Sequence, residues 1–308
     1  MSRNLAHGLI LIVALIWGTT FIAQTTGMDT IGPLSFTGAR YLIGVLVILP
    51  LALWEWRRGS LLQAMRDNRA ILWGGLSLGV LMFGGIALQQ TALLYTKVAN
   101  AAFLTALYVP FVPLITWVLT RQSITLSIWL AVILSIGGSY LLSGNQGYDA
   151  QFADILVAIG AVFWAGHIIA IGFVTKLVNA PLQLALLQNA VCSVLAMCGA
   201  FTIEQPDLMD FVPAWQELLY AGAISVGIAY TLQLVAQRHA HATTAAFLMS
   251  LEAVFAALAG WLFLAQNLTG AALVGCLMIF CAVMLADVLP EGWRQKIERF
   301  SPLSRVQR

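Results

Sequence analysis

Charge is what this sequence has least of. Asp, Glu, Lys and Arg make up 9% of its 308 residues, against roughly 25% in an ordinary soluble domain. A soluble fold of this size could not cover its surface with so few ionised side chains, so its natural solvent is lipid. The net charge of +2 provides no strongly basic face, which argues against nucleic acid as a partner. Cysteine is also scarce. Cys192, Cys198, Cys276 and Cys281 lie in apolar stretches with no CxxC spacing and no histidine beside them, so they read as small packing residues rather than metal ligands. There is no Walker motif for nucleotide hydrolysis, no HExxH and no polar insertion long enough to fold as a soluble domain. No cofactor or metal is implied.

What is abundant is apolar sequence: 60% of residues are hydrophobic and the mean hydropathy is +0.89. A helix needs about 20 apolar residues to cross the hydrocarbon core. Ten stretches qualify, at 5–26, 33–54, 71–93, 99–119, 124–143, 153–174, 182–203, 213–236, 243–264 and 268–288. The expected fold is therefore an all-α integral membrane protein with ten transmembrane helices. The first run, Leu5 to Phe21 after Arg3, resembles a signal peptide. It has no A-x-A cleavage site and is followed by more spans, so it is expected to stay as the first helix.

The basic residues give the orientation. With a cytoplasmic N-terminus, the inner side receives Arg3, Arg57, Arg58, Arg66, Arg69, Arg121, Lys176, Arg238, Arg294, Lys296, Arg299, Arg305 and Arg308. The outer side receives Lys97 alone, and Arg40 lies within a span. Both termini are thus expected in the cytoplasm, with the chain in the inner (plasma) membrane. The outer loop with Glu204, Asp207 and Asp210 is acidic.

The sequence also repeats itself. A shift of 144 maps Ala101-Ala102-Phe103-Leu104 onto Ala245-Ala246-Phe247-Leu248, and Leu107, Phe111, Trp117, Gln122 and Thr125 onto Leu251, Phe255, Trp261, Gln266 and Thr269. Gln89 maps onto Gln233 by the same shift, Trp17 onto Trp164 by 147, and Pro33-Leu34 onto Pro181-Leu182 by 148. Each unit holds five helices. Five is odd, so the second unit enters the membrane inverted, an architecture of secondary transporters with sites at the repeat interface near the midplane. The expected division is 1–147 and 148–290 for the two repeats, with a basic cytoplasmic tail at 291–308.

The residues that carry a family resemblance are Leu15-Ile16-Trp17-Gly18, Ala39-Arg40-Tyr41-Leu42, Ala245 to Glu252, and Gly260-Trp261-Leu262-Phe263-Leu264. With them the chain resembles EamA-type members of the drug/metabolite transporter superfamily over residues 5–288. The resemblance implies two inverted five-helix repeats around a cavity lined by helices one, three, four, six, eight and nine, with five and ten peripheral. It also implies export or exchange of amino acids, other metabolites or drugs. Relatives often carry proline directly after the helix-nine Glu. Here that position is Ala253, so no proline kinks helix nine, whereas Pro110 and Pro113 remain in helix four.

Ionisable residues within a span cost about 2.5–3.5 kcal/mol at the helix centre, so each is a functional candidate. Glu252 sits near midplane depth in helix nine, and its counterpart in helix four is Tyr108. It could bind a substrate amine or carry a coupling proton; alternatively it is a structural carboxyl. His167 could also move a proton or contact substrate, or could bond between helices; its counterpart is Thr20. Arg40 could contact an anion through its planar fork or clamp neighbouring carbonyls. Trp17, Trp164, Tyr108 and Tyr230 could wall a pocket, and Asn100, Gln89 and Gln233 could add polar contacts or bond between helices. Trp54, Trp56, Trp73 and Trp293 read as interface-belt residues, and Gly75 and Gly79 as a close helix contact. Asn267-Leu268-Thr269 matches a glycosylation pattern but hugs the membrane.

Together these features point to a secondary transporter, as monomer or homodimer, that exports small organic metabolites such as amino acids or amines by alternating access, driven by protons or exchange. The alternatives are an intramembrane enzyme, for which no Ser-His pair, paired Asp or HExxH set is visible, and a non-transporting receptor or scaffold, for which the loops leave little surface.

Overall fold

A chain in lipid must satisfy its backbone internally, and a helix does so within one segment. The computed structural model describes residues 1–58, 61–96, 98–121, 124–142, 152–264 and 269–288. Among these the regular structure is all helical. Eight spans are long and apolar enough to cross a membrane, and Leu126–Leu142 and Gly270–Ala286 are two shorter apolar helices. The 17 residues of Leu126–Leu142 rise about 25 Å, a little under the hydrocarbon thickness of about 30 Å. Lys97, Asn267, Trp293 and the basic tail lie outside the described residues.

The helices are α1 (Arg3–Thr26), α2 (Pro33–Arg58), α3 (Leu61–Ala92), α4 (Val98–Thr105), α5 (Tyr108–Thr120), α6 (Leu126–Leu142), α7 (Phe152–Leu177) and α8 (Pro181–Gly199). There follow α9 (Trp215–Leu219), a π-helical stretch Tyr220–Ala229, α10 (Tyr230–Gln237), α11 (Ala242–Met249), α12 (Leu251–Leu264) and α13 (Gly270–Val283). The surface is apolar like the core, and some polar side chains lie inside. Leu46, Ile133 and Leu277 are exposed, whereas Gln90, Gln188, Asn189 and Gln237 are fully buried. Trp54, Trp56 and Trp73 are exposed toward span ends. The short helices α6 and α13 pack on each other through Gly138 and Gly275, where a Cβ on Gly138 would lie 2.6 Å from the Gly275 carbonyl.

Two spans are broken. Between α4 and α5, Pro110 has no N–H to give Ala106, and the Val109 N–H takes that carbonyl instead at 3.0 Å. The second break comes 144 residues later at Ser250. Here the Ser250 N–H is shared between Ala246 and Phe247 carbonyls at 3.0 and 3.2 Å, and its hydroxyl donates to Phe247 at 2.7 Å. Helix nine therefore bends without a proline: Ala253 reaches back only three residues, to Ser250, at 3.2 Å. The absent proline left open whether helix nine is kinked; a serine that pulls its own turn tight breaks it here.

Helices α2 and α8 run antiparallel and cap each other. Glu204, just past α8, accepts from the Leu34 and Ser35 N–H groups at 2.8 Å each and from the Ser35 hydroxyl at 2.5 Å. At the opposite end Glu55 of α2 accepts from the Gln183 N–H at 3.0 Å, with Leu182 beside it. Each carboxylate sits on the N-terminus of the other helix, where free N–H groups and the helix dipole favour negative charge. Leu34 and Ser35 map onto Leu182 and Gln183 by the shift of 148 found in the sequence. Gly75 and Gly79 of α3 admit Leu187 and Val191 of α8.

Candidate functional site

A cavity lies among the spans, with about 540 Å³ of empty space that includes open solvent. It is lined by Trp17, Phe21 and Gln24 of α1, Arg40 of α2, Ile86 and Gln89 of α3, Thr105 of α4 and Tyr108 of α5. The opposite wall carries Trp164 and Ile168 of α7, Ser225 of the π-helical stretch, Tyr230 and Gln233 of α10, Met249 of α11 and Glu252 of α12. The two broken spans place Tyr108 and Glu252 in the first turns of their second halves. Helices α6 and α13 contribute nothing to the lining.

The Trp17-Gly18 pair has two tasks. Trp17 faces the cavity, and Gly18 lets α1 meet α12 at the site: a Cβ there would stand 2.6 Å from the Glu252 carbonyl oxygen and 2.6 Å from the Phe255 Cβ. Gly85 makes the matching space for Trp164, whose indole would lie 2.9 Å from an added Cβ. Tyr230 is the centre of the aromatic wall. Trp17 lies 4.8 Å from it, centroid to centroid, and Trp164 is nearly parallel to it at 6.4 Å. Hydrogen bonds hold the rings in place: Tyr41 Oη to Tyr230 Oη at 3.1 Å, and Trp164 Nε1 to Gln89 Oε1 at 3.0 Å. A longer bond joins Trp17 Nε1 to the Ser225 carbonyl at 3.5 Å.

Polar capacity around the cavity is only partly used. Among the described residues, Gln24 Oε1, Arg40 Nε, Thr105 Oγ1, Tyr108 Oη and Gln233 Oε1 are buried with no hydrogen-bond partner. Buried polar atoms are paired in the large majority of cases; these five belong to residues that line the cavity, and others of the same kind, such as Ser135 Oγ and Asn189 Oδ1, lie elsewhere among the described residues. Tyr108 lies beside the Glu252 carboxyl as its electrostatic neighbour, without a well-formed bond from its hydroxyl. Glu252 itself is 6% exposed.

Of the residues singled out from the sequence, Trp17, Gln89, Tyr108, Trp164, Tyr230, Gln233 and Glu252 share this cavity, and Arg40 joins them. Thr20 does not line it: its hydroxyl is spent on the Ile16 carbonyl at 2.6 Å. His167 is wholly buried behind the aromatic wall, with Nε2 3.2 Å from Gln188 Oε1 and its ring edge-on to Trp164 and Tyr230. The Asn100 side chain lies outside the described residues. Missed from the sequence were Phe21, Gln24, Ile86, Thr105, Ile168, Ser225 and Met249. The repeat shifts contained most of that information. Phe21 maps onto Ile168 by 147, and Ile86 and Thr105 map onto Tyr230 and Met249 by 144; each partner in these pairs lines the cavity. Among the described residues no three His, Cys, Asp or Glu side chains converge as a metal set.

Comparison with known proteins gives a consistent picture. The EamA-like transporter family is matched over residues 4–144 and again over 151–286. An uncharacterized transporter of Archaeoglobus fulgidus is 30% identical over 279 residues, covering 90% of this chain and 84% of the relative. The uncharacterized transporter YoaV of Bacillus subtilis is 22% identical, covering 90% of this chain and 94% of its own length. A solved crystal structure superposes with a TM-score of 0.76 at 18% identity, over 95% of this chain and 99% of its own, which shows a shared fold.

Proposed function

The chain belongs to the EamA-like transporter family, and we propose that this multi-pass membrane transporter is a secondary exporter of small organic metabolites, amino acids, amines or related compounds. In this reading ten spans form two inverted five-helix repeats that give alternating access to one central site, driven by a proton gradient or by exchange. Both termini face the cytoplasm, as the positive-inside charge distribution favours. Glu252 binds the cationic group of the substrate or carries the coupling proton.

One observation carries the reading. The cavity gathers Glu252, the aromatic wall and the unspent polar atoms at two span breaks 144 residues apart. Discontinuous helices meeting at a midplane site are the usual construction of a secondary-transporter binding site. The reciprocal caps Glu55 and Glu204 also support the repeat, because they join matching ends of α2 and α8.

The test is transport of a panel of labelled amino acids, amines and other small metabolites in proteoliposomes, with and without a pH gradient. Saturable movement of at least one compound is expected, abolished by Glu252→Gln in protein that still folds. Full transport by that variant removes Glu252 from the mechanism. Chemical turnover of a panel compound by purified protein in detergent would instead favour an enzyme.

A further inference from the structure

Arg40 lines the same cavity as Glu252 but comes from α2, outside the set of helices that the resemblance assigns to the lining. It is 2% exposed. A guanidinium has five N–H donors and is always charged. Yet its one hydrogen bond to another described residue runs from Nη2 to Gln90 Oε1 at 3.4 Å, and its Nε has no partner. The Phe36 and Tyr41 rings lie 5.4 Å from its Cζ, which offsets part of the cost of a buried cation but gives its N–H groups no acceptor. Gln90 meets Arg40 through its Oε1 alone, while its amide Nε2 donates to the Gln24 carbonyl and the Met28 sulfur.

Arg40 and Glu252 make no ion pair with each other; the electrostatic partner of Glu252 is Tyr108. The cavity therefore holds a buried cation on one wall and a buried carboxyl on another, each short of partners. Leaving two opposite charges apart in a low-dielectric site is costly unless something bridges them. Both charges also stand where the halves of the sequence differ. The position matching Glu252 is Tyr108, and the position matching Arg40 by the shift of 148 is Gln188. The charges thus mark departures from the repeat's common pattern.

We infer that the cavity is a two-charge site for a zwitterion, with Arg40 taking the anionic group and Glu252 the cationic group of one small molecule. This rests on the cavity being the transport site and narrows its substrate class: a plain amine or a cationic drug leaves Arg40 unpaired, and a plain acid leaves Glu252 unpaired. The body between the charges lies against Trp17, Trp164 and Tyr230.

The test uses matched triplets in which one charge is deleted at a time. These are L-alanine, ethylamine and propanoate; L-leucine, 3-methylbutylamine and 4-methylpentanoate; L-phenylalanine, 2-phenylethylamine and 3-phenylpropanoate. Initial rates in proteoliposomes are corrected for leak through protein-free vesicles and compared within a triplet. In at least one triplet the wild type should prefer the amino acid over both relatives by about tenfold to a hundredfold, the worth of one charged hydrogen-bond set. Arg40→Gln should raise the amine to parity with the amino acid, and Arg40→Lys should retain part of the preference. If Arg40→Gln does not fold, the wild-type triplets decide alone. An amine carried as fast as its amino acid overturns the two-charge site, as does a wild type that carries other panel compounds but no zwitterion; transport itself then stands. A wild type that carries nothing overturns both.

Discussion

Glu204 and Glu252 are the same side chain in the same protein, the first half-buried and the second buried, and they do opposite things. Glu204 is spent: two backbone N–H groups and a hydroxyl converge on it within 2.8 Å, and the helix it caps gains a fixed end. Glu252 is unspent. It faces a cavity, the Tyr108 hydroxyl lies beside it without a well-formed bond, and other lining residues have polar atoms unpaired among the described residues. A carboxylate that caps a helix lowers the folding free energy, whereas one held short of partners raises it. The second arrangement persists in a native protein where function requires it. In the proposed reading, the difference separates the α2–α8 clamp from the part that meets a ligand.

Four substitutions break or sharpen that contrast, and the largest effect is expected at the cavity. Glu252→Gln should reduce transport to the level of protein-free vesicles while the melting temperature in detergent stays within about 3 °C or rises, because a neutral isostere removes an underpaired charge. A fall in melting temperature with transport retained would make Glu252 a structural acid like Glu204. Gly18→Val comes next. The added side chain meets the α12 backbone at Glu252, so stability should fall by roughly 1–3 kcal/mol and transport by folded protein should fall with it.

Glu204→Gln should show the reverse of Glu252→Gln. Replacing an acceptor oxygen by an amide sets N–H against N–H, at a cost of about 1–3 kcal/mol. Thermal unfolding should register this, while transport per folded molecule is unchanged. Glu55→Gln is the smallest of the four. Only one N–H bond at 3.0 Å is well formed there, so about 0.5–1.5 kcal/mol is expected. If Glu55→Gln proves costlier than Glu204→Gln, the two ends of the clamp do not share the load as their geometry indicates.

The sequence made the helices legible because their cause is local: each apolar run must close its own backbone bonds in lipid. The cavity lining was legible where chemistry and position coincide in one residue. Glu252, Trp17, Trp164 and the Gln89/Gln233 pair stood out as polar or aromatic groups deep within spans, and the repeat shifts connected them. Thr20 and His167 carry the same signal, yet the Thr20 hydroxyl bonds within its own helix and His167 Nε2 bonds to Gln188, and neither residue lines the cavity. A side chain's type and depth do not determine which way its helix is turned.

By itself the sequence determined that this chain lives in lipid, that it is helical and that its halves echo each other, because composition, periodicity and self-similarity are properties of the string. The tertiary structure alone decided which buried polar groups are paired and which are left facing empty space. Glu204 finds its donors on a helix 170 residues away, and among the described residues Arg40 finds one hydrogen-bond partner, Gln90. Hydrogen-bond satisfaction depends on the distance and direction of groups brought together from different helices, and no local feature of a sequence encodes it.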